Sequence, residues 1–196
     1  MAPTNLAATD AAPTGVNLSW TGSGAPTYLV YRALGSSPAV DAYTLVGTTD
    51  LTTFMDTTVQ GGFSYSYVVR AADGCGESAR SAPASASCTG PCTLMPAFDG
   101  LEVAENDLGS LLCDVVLAWN AGTSACPADP TVVYNVYRGS SPYFTPDPSN
   151  LIATTSNTTY TDFDVVPLET TYYVVRAEDG SDDSGGPANG GNEDIN

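Results

Sequence analysis

Apolar side chains recur at every second position through much of this chain. Val16, Leu18 and Trp20 alternate with polar residues, and so do Val115, Leu117 and Trp119. Tyr65, Tyr67, Val69 and Ala71 share one face of a two-residue period, as do Thr171, Tyr173, Val175 and Ala177. A period of two sends alternate side chains to opposite faces of an extended backbone, so each block predicts a strand with one buried face. Clusters of Gly, Pro, Asn and Ser separate the blocks at intervals of roughly 8 to 12 residues, the spacing of an antiparallel sandwich. No segment carries the 3.6-residue stripe and end caps of a helix.

The blocks occur twice. Tyr28-Leu-Val-Tyr-Arg32 returns as Tyr134-Asn-Val-Tyr-Arg138, and Thr53-Phe-Met-Asp56 returns as Thr159-Tyr-Thr-Asp162. Tyr67-Val-Val-Arg-Ala-Ala-Asp-Gly74 returns as Tyr173-Val-Val-Arg-Ala-Glu-Asp-Gly180. All three lie at the one offset, 106 positions, that carries Arg32 to Arg138. A repeated set of strands at fixed spacing means a repeated structural unit. The 196 residues accommodate two such units of ordinary domain size. We place them at 1–89 and 91–196, with a short linker from Thr89 to Pro91.

Both halves resemble fibronectin type III domains of the kind found in bacterial secreted proteins. The resemblance rests on Trp20 with Tyr28 and Val30 in the first copy, and on Trp119 with Tyr134 and Val136 in the second. It implies an all-β fold, two antiparallel Ig-like sandwiches in tandem. It also implies that Val59-Gln-Gly-Gly-Phe-Ser-Tyr65 turns into strand F, with Tyr65 as a corner tyrosine bonded back to nearby backbone. The second copy has Thr171 at that place and carries a seven-residue insertion between strands B and C, around Cys126. Its last strand is also missing from the pattern. After Glu178 the chain is rich in Gly, Asp, Asn and Ser, with Ile195 alone as a strand former. Strand G of the second domain is therefore expected to be absent or donated, leaving an edge open to a protein partner or to self-association.

Charge narrows the partners. Five Lys+Arg stand against 22 Asp+Glu, a net charge of −17, with no histidine. All five basic residues are arginine. Such a surface repels phosphate backbones and anionic lipid, so nucleic acid is not an expected partner. No run of about 20 apolar residues predicts membrane insertion. Arg32 with Arg70, and Arg138 with Arg176, fall on adjacent strands, where neutralising acids or stacking on tyrosine is the expected role.

Five cysteines point to an oxidising, extracellular or cell-surface setting. Pairs Cys75–Cys88 and Cys113–Cys126 would each close a short loop inside one domain. Cys92 would then be left over, although it could displace Cys88 or Cys113.

Catalysis has little to stand on. Nucleophilic mechanisms need a base, and neither histidine nor lysine is present. The acidic tail suggests calcium as the one cofactor. Asp179, Asp182, Asp183, Asn192, Glu193 and Asp194 offer hard oxygen ligands among glycines, although not at the spacing of a twelve-residue calcium loop. Eleven tyrosines raise a carbohydrate reading. Tyr31, Tyr137, Tyr143, Phe144, Tyr160 and Tyr172 are the candidates for surface aromatics. The function expected is a non-catalytic extracellular structural or interaction module, a spacer or adhesion segment of a larger protein. The rivals are a filament subunit built by strand complementation and a carbohydrate-binding accessory domain.

Overall fold

A computed structural model describes residues 1–107, 114–181 and 184–195. The chain divides into two compact units, Met1–Cys92 and Thr93–Asn196. Cys113, Asp182 and Asp183, among the residues expected to carry chemistry, lie outside the described residues.

Unit one has eight strands: β1 Thr4–Asp10, β2 Val16–Thr21, β3 Thr27–Leu34, β4 Thr44–Thr49, β5 Thr53–Asp56, β6 Ser64–Asp73, β7 Gly76–Glu77 and β8 Ala84–Ser87. They form two antiparallel sheets. One runs β1-β2-β5; the other runs β4-β3-β6, with β7 and β8 both pairing β6. The alternation seen in the sequence is what fills the space between them. Val16, Leu18 and Trp20 from one sheet meet Tyr28, Val30, Tyr67 and Val69 from the other. Each such side chain contributes roughly 1.5–3 kcal/mol on leaving water. Trp20 lies edge-on to Tyr28 with ring centroids 5.6 Å apart.

The described residues of unit two form six strands: β9 Leu101–Asn106, β10 Val115–Trp119, β11 Val132–Gly139, β12 Leu151–Thr155, β13 Thr159–Asp162 and β14 Tyr172–Asp179. Its sheets run β13-β10-β9 and β12-β11-β14. The repeat holds at the level of register. Tyr28 faces Ala71 in unit one, and Tyr134 faces Ala177 in unit two. The ladder shifts register between Val30 and Tyr31, and again between Val136 and Tyr137.

The cysteines differ from expectation. Cys92 and Cys126 form a disulfide, whereas Cys75 and Cys88 are free thiols, the first exposed and the second buried. Cys75 lies in the turn where Asp73 pairs with Gly76, and Cys88 follows the end where Ser64 pairs with Ser87. These are opposite ends of the ten-residue β6, about 30 Å apart. A disulfide tolerates a Cα separation of only about 7 Å, so that pair cannot close. With Cys126 committed to Cys92, the expected Cys113–Cys126 pair does not form either.

Candidate functional site

Each unit holds a buried aspartate at the same place in the repeat. Asp56 accepts from Arg32 Nη1 at 2.8 Å and from Tyr67 Oη at 3.0 Å. Its other oxygen accepts the Thr58 N–H at 2.9 Å and the Thr58 hydroxyl at 2.8 Å. In unit two Asp162 accepts from Arg138 at 2.9 Å, from Tyr173 Oη at 2.9 Å and from the Asp164 N–H at 3.1 Å. Burial raises the Asp56 carboxyl, but the Thr58 donors and the Arg32 guanidinium outweigh it and hold it below its ordinary value. Burial, then the Asp56 carboxylate, pushes the Tyr67 phenol far up, and burial with Asp162 does the same at Tyr173. Two of the four arginines on strands β3, β6, β11 and β14 are therefore spent on internal acids.

The other two sit in a second repeated trio. Arg70 pairs with Glu77 at 3.3 Å and lies over the Tyr31 ring at 5.7 Å, while Tyr31 donates to the same glutamate at 3.1 Å. Arg176 pairs with Glu193 at 3.2 Å and lies over Tyr137 at 6.0 Å, and Tyr137 donates to Glu193 through a short bond. Glu77 stands opposite Ala72 in its ladder, and Glu193 stands opposite Glu178. These are equivalent places. One residue on, Ser78 and Asp194 each give an N–H to the matching carbonyl, Ala71 at 2.8 Å and Ala177 at 2.9 Å. The segment expected to be an unpaired tail thus returns to the sheet edge. Glu193 and Asp194 start the position of strand G, so that edge is neither wholly bare nor wholly donated.

Between Asp179 and Asn192 the chain makes an excursion that unit one lacks. Glu178 organises it. Fully buried, its carboxylate accepts the N–H groups of Ala188 at 2.8 Å, Asn189 at 2.9 Å and Gly191 at 3.0 Å, and the Asn135 amide at 2.7 Å. Asp179, equally buried, accepts the Ser181 N–H at 3.1 Å, the Ser181 hydroxyl at 2.5 Å and the Asn192 N–H at 2.9 Å. Asn192 also donates its amide to Ser181 Oγ at 2.8 Å. The glycines permit this closeness. A Cβ on Gly186 would strike the Glu178 carboxylate, and one on Gly191 would strike the Asp179 and Ser181 carbonyls. Composition alone reads these residues as a loop, because it cannot show that the glycines are needed by a buried glutamate.

Of the six residues expected to offer calcium their oxygens, Asp179, Asn192, Glu193 and Asp194 are described, and their side-chain oxygens accept from N–H, O–H and guanidinium donors; Asp182 and Asp183 lie outside the described residues. No group of three ligating acids, cysteines or histidines gathers among the described residues. Of the aromatics expected at the surface, Tyr137 is buried at 2% exposure, held by Glu193 and Arg176, and Tyr143 is fully presented at 92%. Phe144, Tyr31, Tyr160 and Tyr172 are half-buried.

The sheets of unit one, β1-β2-β5 facing β4-β3-β6 with β7 and β8 both on β6, and the matching pair β13-β10-β9 and β12-β11-β14 in unit two have the order of a known sandwich. Both units are fibronectin type III-like sandwiches. Tyr65 confirms the corner in unit one, its hydroxyl accepting the Gln60 N–H at 2.9 Å. No family model matches the sequence. The chain is 30% identical over 186 residues to exoglucanase B of Cellulomonas fimi, covering 90% of this chain and 15% of that protein. Among solved structures, a fibronectin type III-like protein from Clostridium thermocellum is 32% identical, covering 44% of this chain and 90% of its own, with a TM-score of 0.39. The FN5 domain of Drosophila Lar is 22% identical, covering 45% and 96%, also at 0.39.

Proposed function

We propose that this tandem fibronectin type III-like segment is a non-catalytic, extracellular spacer or presentation module of a larger secreted protein that acts on polysaccharide. One observation carries the reading. The carboxylates of Asp56, Asp162, Glu178 and Asp179 are committed to internal donors, so none of these four is free to act as the acid or base of glycoside hydrolysis. The absence of histidine and lysine removes the other common bases. The similarity to 15% of an exoglucanase supports a segment accompanying catalysis elsewhere in such a protein. The acidic surface and the disulfide fit an extracellular setting.

The test is direct. The purified chain, incubated with microcrystalline cellulose and with soluble β-glucan, releases no reducing sugar and stays in the supernatant. Turnover that survives further purification overturns the non-catalytic reading. Retention on cellulose that soluble oligosaccharide competes away shifts the reading to a carbohydrate-binding accessory domain, with Tyr143 as the first side chain to replace. For a filament subunit, a strand from a neighbouring copy would have to lie beyond the place that Glu193 and Asp194 already hold in cis.

A further inference from the structure

Unit two departs from unit one at the insertion around Cys126 and at the excursion after Asp179, and the two departures meet. Cys126 Sγ lies 3.6 Å from the Leu94 carbonyl oxygen and accepts the Asn192 amide at 3.7 Å. The insertion is thereby packed against both the segment that opens unit two and the base of the excursion. The excursion is cross-braced. The N–H groups of Ser184 and Gly185 both reach the Gly190 carbonyl, at 3.0 and 2.9 Å, and that of Gly186 reaches Gly191 at 3.0 Å. The loop between β11 and β12 is fixed as well. The Asn150 side chain accepts the Asp147 N–H at 3.1 Å and donates to the Thr145 carbonyl at 2.8 Å.

These braced segments enclose a pocket of about 420 Å³. Its floor is Tyr137 and Glu193, members of the repeated trio. Its walls are residues 184–187 of the excursion, residues 146–148 of the loop after β11, and Met95 of the opening segment. Unit one has the same trio without such walls: the Glu77 side chain is 41% exposed, the Glu193 side chain 14%. Pro146, Pro148, Pro187 and Met95 make the walls largely apolar. Arg176 neutralises Glu193, so the charge left over is Asp147. One Asp147 oxygen accepts the Ser149 N–H at 2.7 Å and the Ser149 hydroxyl at 2.6 Å. The other accepts nothing among the described residues. The Ser149 donors hold this carboxyl below its ordinary value, so it is ionised. Most of the chain's 22 acids fall in unit two, against Arg138 and Arg176 alone.

We propose that this pocket takes a lysine side chain carried on an extended segment of a partner protein. The alkyl stem would lie on the three prolines and Met95, as such stems cover apolar surface while the charged head stays at a polar rim. The ammonium would meet the open oxygen of Asp147 in a charge-assisted hydrogen bond. An apolar lining with few, placed polar groups is the usual form of a binding pocket, and this volume lies in the usual range. A single open oxygen suits a compact ammonium better than a guanidinium, whose fork is matched by both oxygens of a carboxylate. This chain contains no lysine, so a second copy cannot supply one. A net charge of −17 also steers basic partners toward it.

The experiment titrates the isotope-labelled full chain with the peptide acetyl-Gly-Ser-Lys-Ser-Gly-amide and follows backbone amides by NMR. Signals of Tyr137, Asp147, Gly185 and Glu193 should move and saturate with a Kd of about 1 mM. Those of Tyr31 and Glu77 in unit one should stay, because that trio has no walls. Acetylating the lysine keeps the stem and removes the charge, and should weaken binding about fivefold. Asp147→Asn keeps an oxygen for Ser149 and should do the same with an unchanged melting temperature. Met95→Ser, at a half-exposed place, should weaken binding about threefold. Signals that do not move at about 10 mM peptide overturn the proposal. So do equal shifts in unit one, which mean unselective attraction, and an acetylated peptide that binds as well. An arginine peptide that binds more tightly overturns the choice of lysine. Spermidine that binds as tightly as the peptide overturns the protein partner in favour of a small polyamine.

Discussion

Unit one turns from β6 to β7 through Gly74 and Cys75, whereas unit two makes the same return through the residues from Gly180 to Asn192. Both turns deliver a glutamate to the same arginine and tyrosine. The difference lies in what each turn requires. The short turn is local, with the Cys75 N–H bonded to Asp73 at 2.8 Å. The long one is held by a glutamate that replaces an alanine, Glu178 for Ala72, and a buried carboxylate tolerates that place only if amides converge on it. An insertion that brings its own buried acid becomes ordered; acidic composition by itself argues for the opposite.

The largest expected effect tests that contrast. Glu178→Ala leaves the N–H groups of Ala188, Asn189 and Gly191 without their acceptor and should cost unit two about 3 kcal/mol or more. Urea unfolding followed through Trp119, in a Trp20→Phe background, would measure it. A loss below about 1 kcal/mol would mean that the excursion folds without its glutamate. Next come the shared phenols. Tyr67→Phe removes a hydrogen bond to a buried carboxylate and should cost about 2 kcal/mol. Tyr173→Phe makes the same deletion at a wetter place and should cost about 1 kcal/mol. Equal losses would mean that the greater exposure of Tyr173 does not weaken its bond to Asp162.

A smaller, reversible separation should follow from pH. The Asp56 carboxyl is depressed in the fold, so its stabilisation is complete above the ordinary aspartate value and is lost as pH falls below it. The phenols of Tyr67, Tyr137 and Tyr173 are raised, so theirs is complete below about pH 10 and is lost as pH climbs beyond. Unit two carries two of these three tyrosines and should melt first on the alkaline side, as read by calorimetry from pH 8 to 11. The smallest change is a repair. Thr171→Tyr restores the corner residue beside a cavity of about 200 Å³ and should stabilise unit two by about 1 kcal/mol. Urea midpoints that do not move would show that the second corner has a different backbone path.

Much of the fold was legible because it depends on period and repetition. The alternation through Val16, Leu18 and Trp20 announced the first sheet, and the offset carrying Arg32 to Arg138 announced the second unit. Arg32 and Arg138 are expected to neutralise nearby acids, and Asp56 and Asp162 are those acids. The tail departs from what its composition predicts for a physical reason. Composition counts Gly and Asp as loop formers, whereas here their value is steric clearance and lone pairs directed at amides. A signal was present in Glu193-Asp194, which follows Glu178 as Glu77-Ser78 follows Ala72, but a thirteen-residue return loop hides it from any fixed offset. The pairing Cys92–Cys126 is the alternative in which Cys92 displaces Cys113; the favoured Cys75–Cys88 pair fails because those residues, near in sequence, are parted by the length of one strand.

The Cys92–Cys126 bond has a mechanical meaning. Tension arriving along the chain at Cys92 crosses the sulfurs to Cys126 and bypasses residues 93–125, which include β9 and β10. Those residues amount to about 110 Å of contour length that stays slack. The first element to feel the load in unit two is β11, paired along its whole length with β14. A reducing environment would release that slack and let the same pull peel β9 from β10.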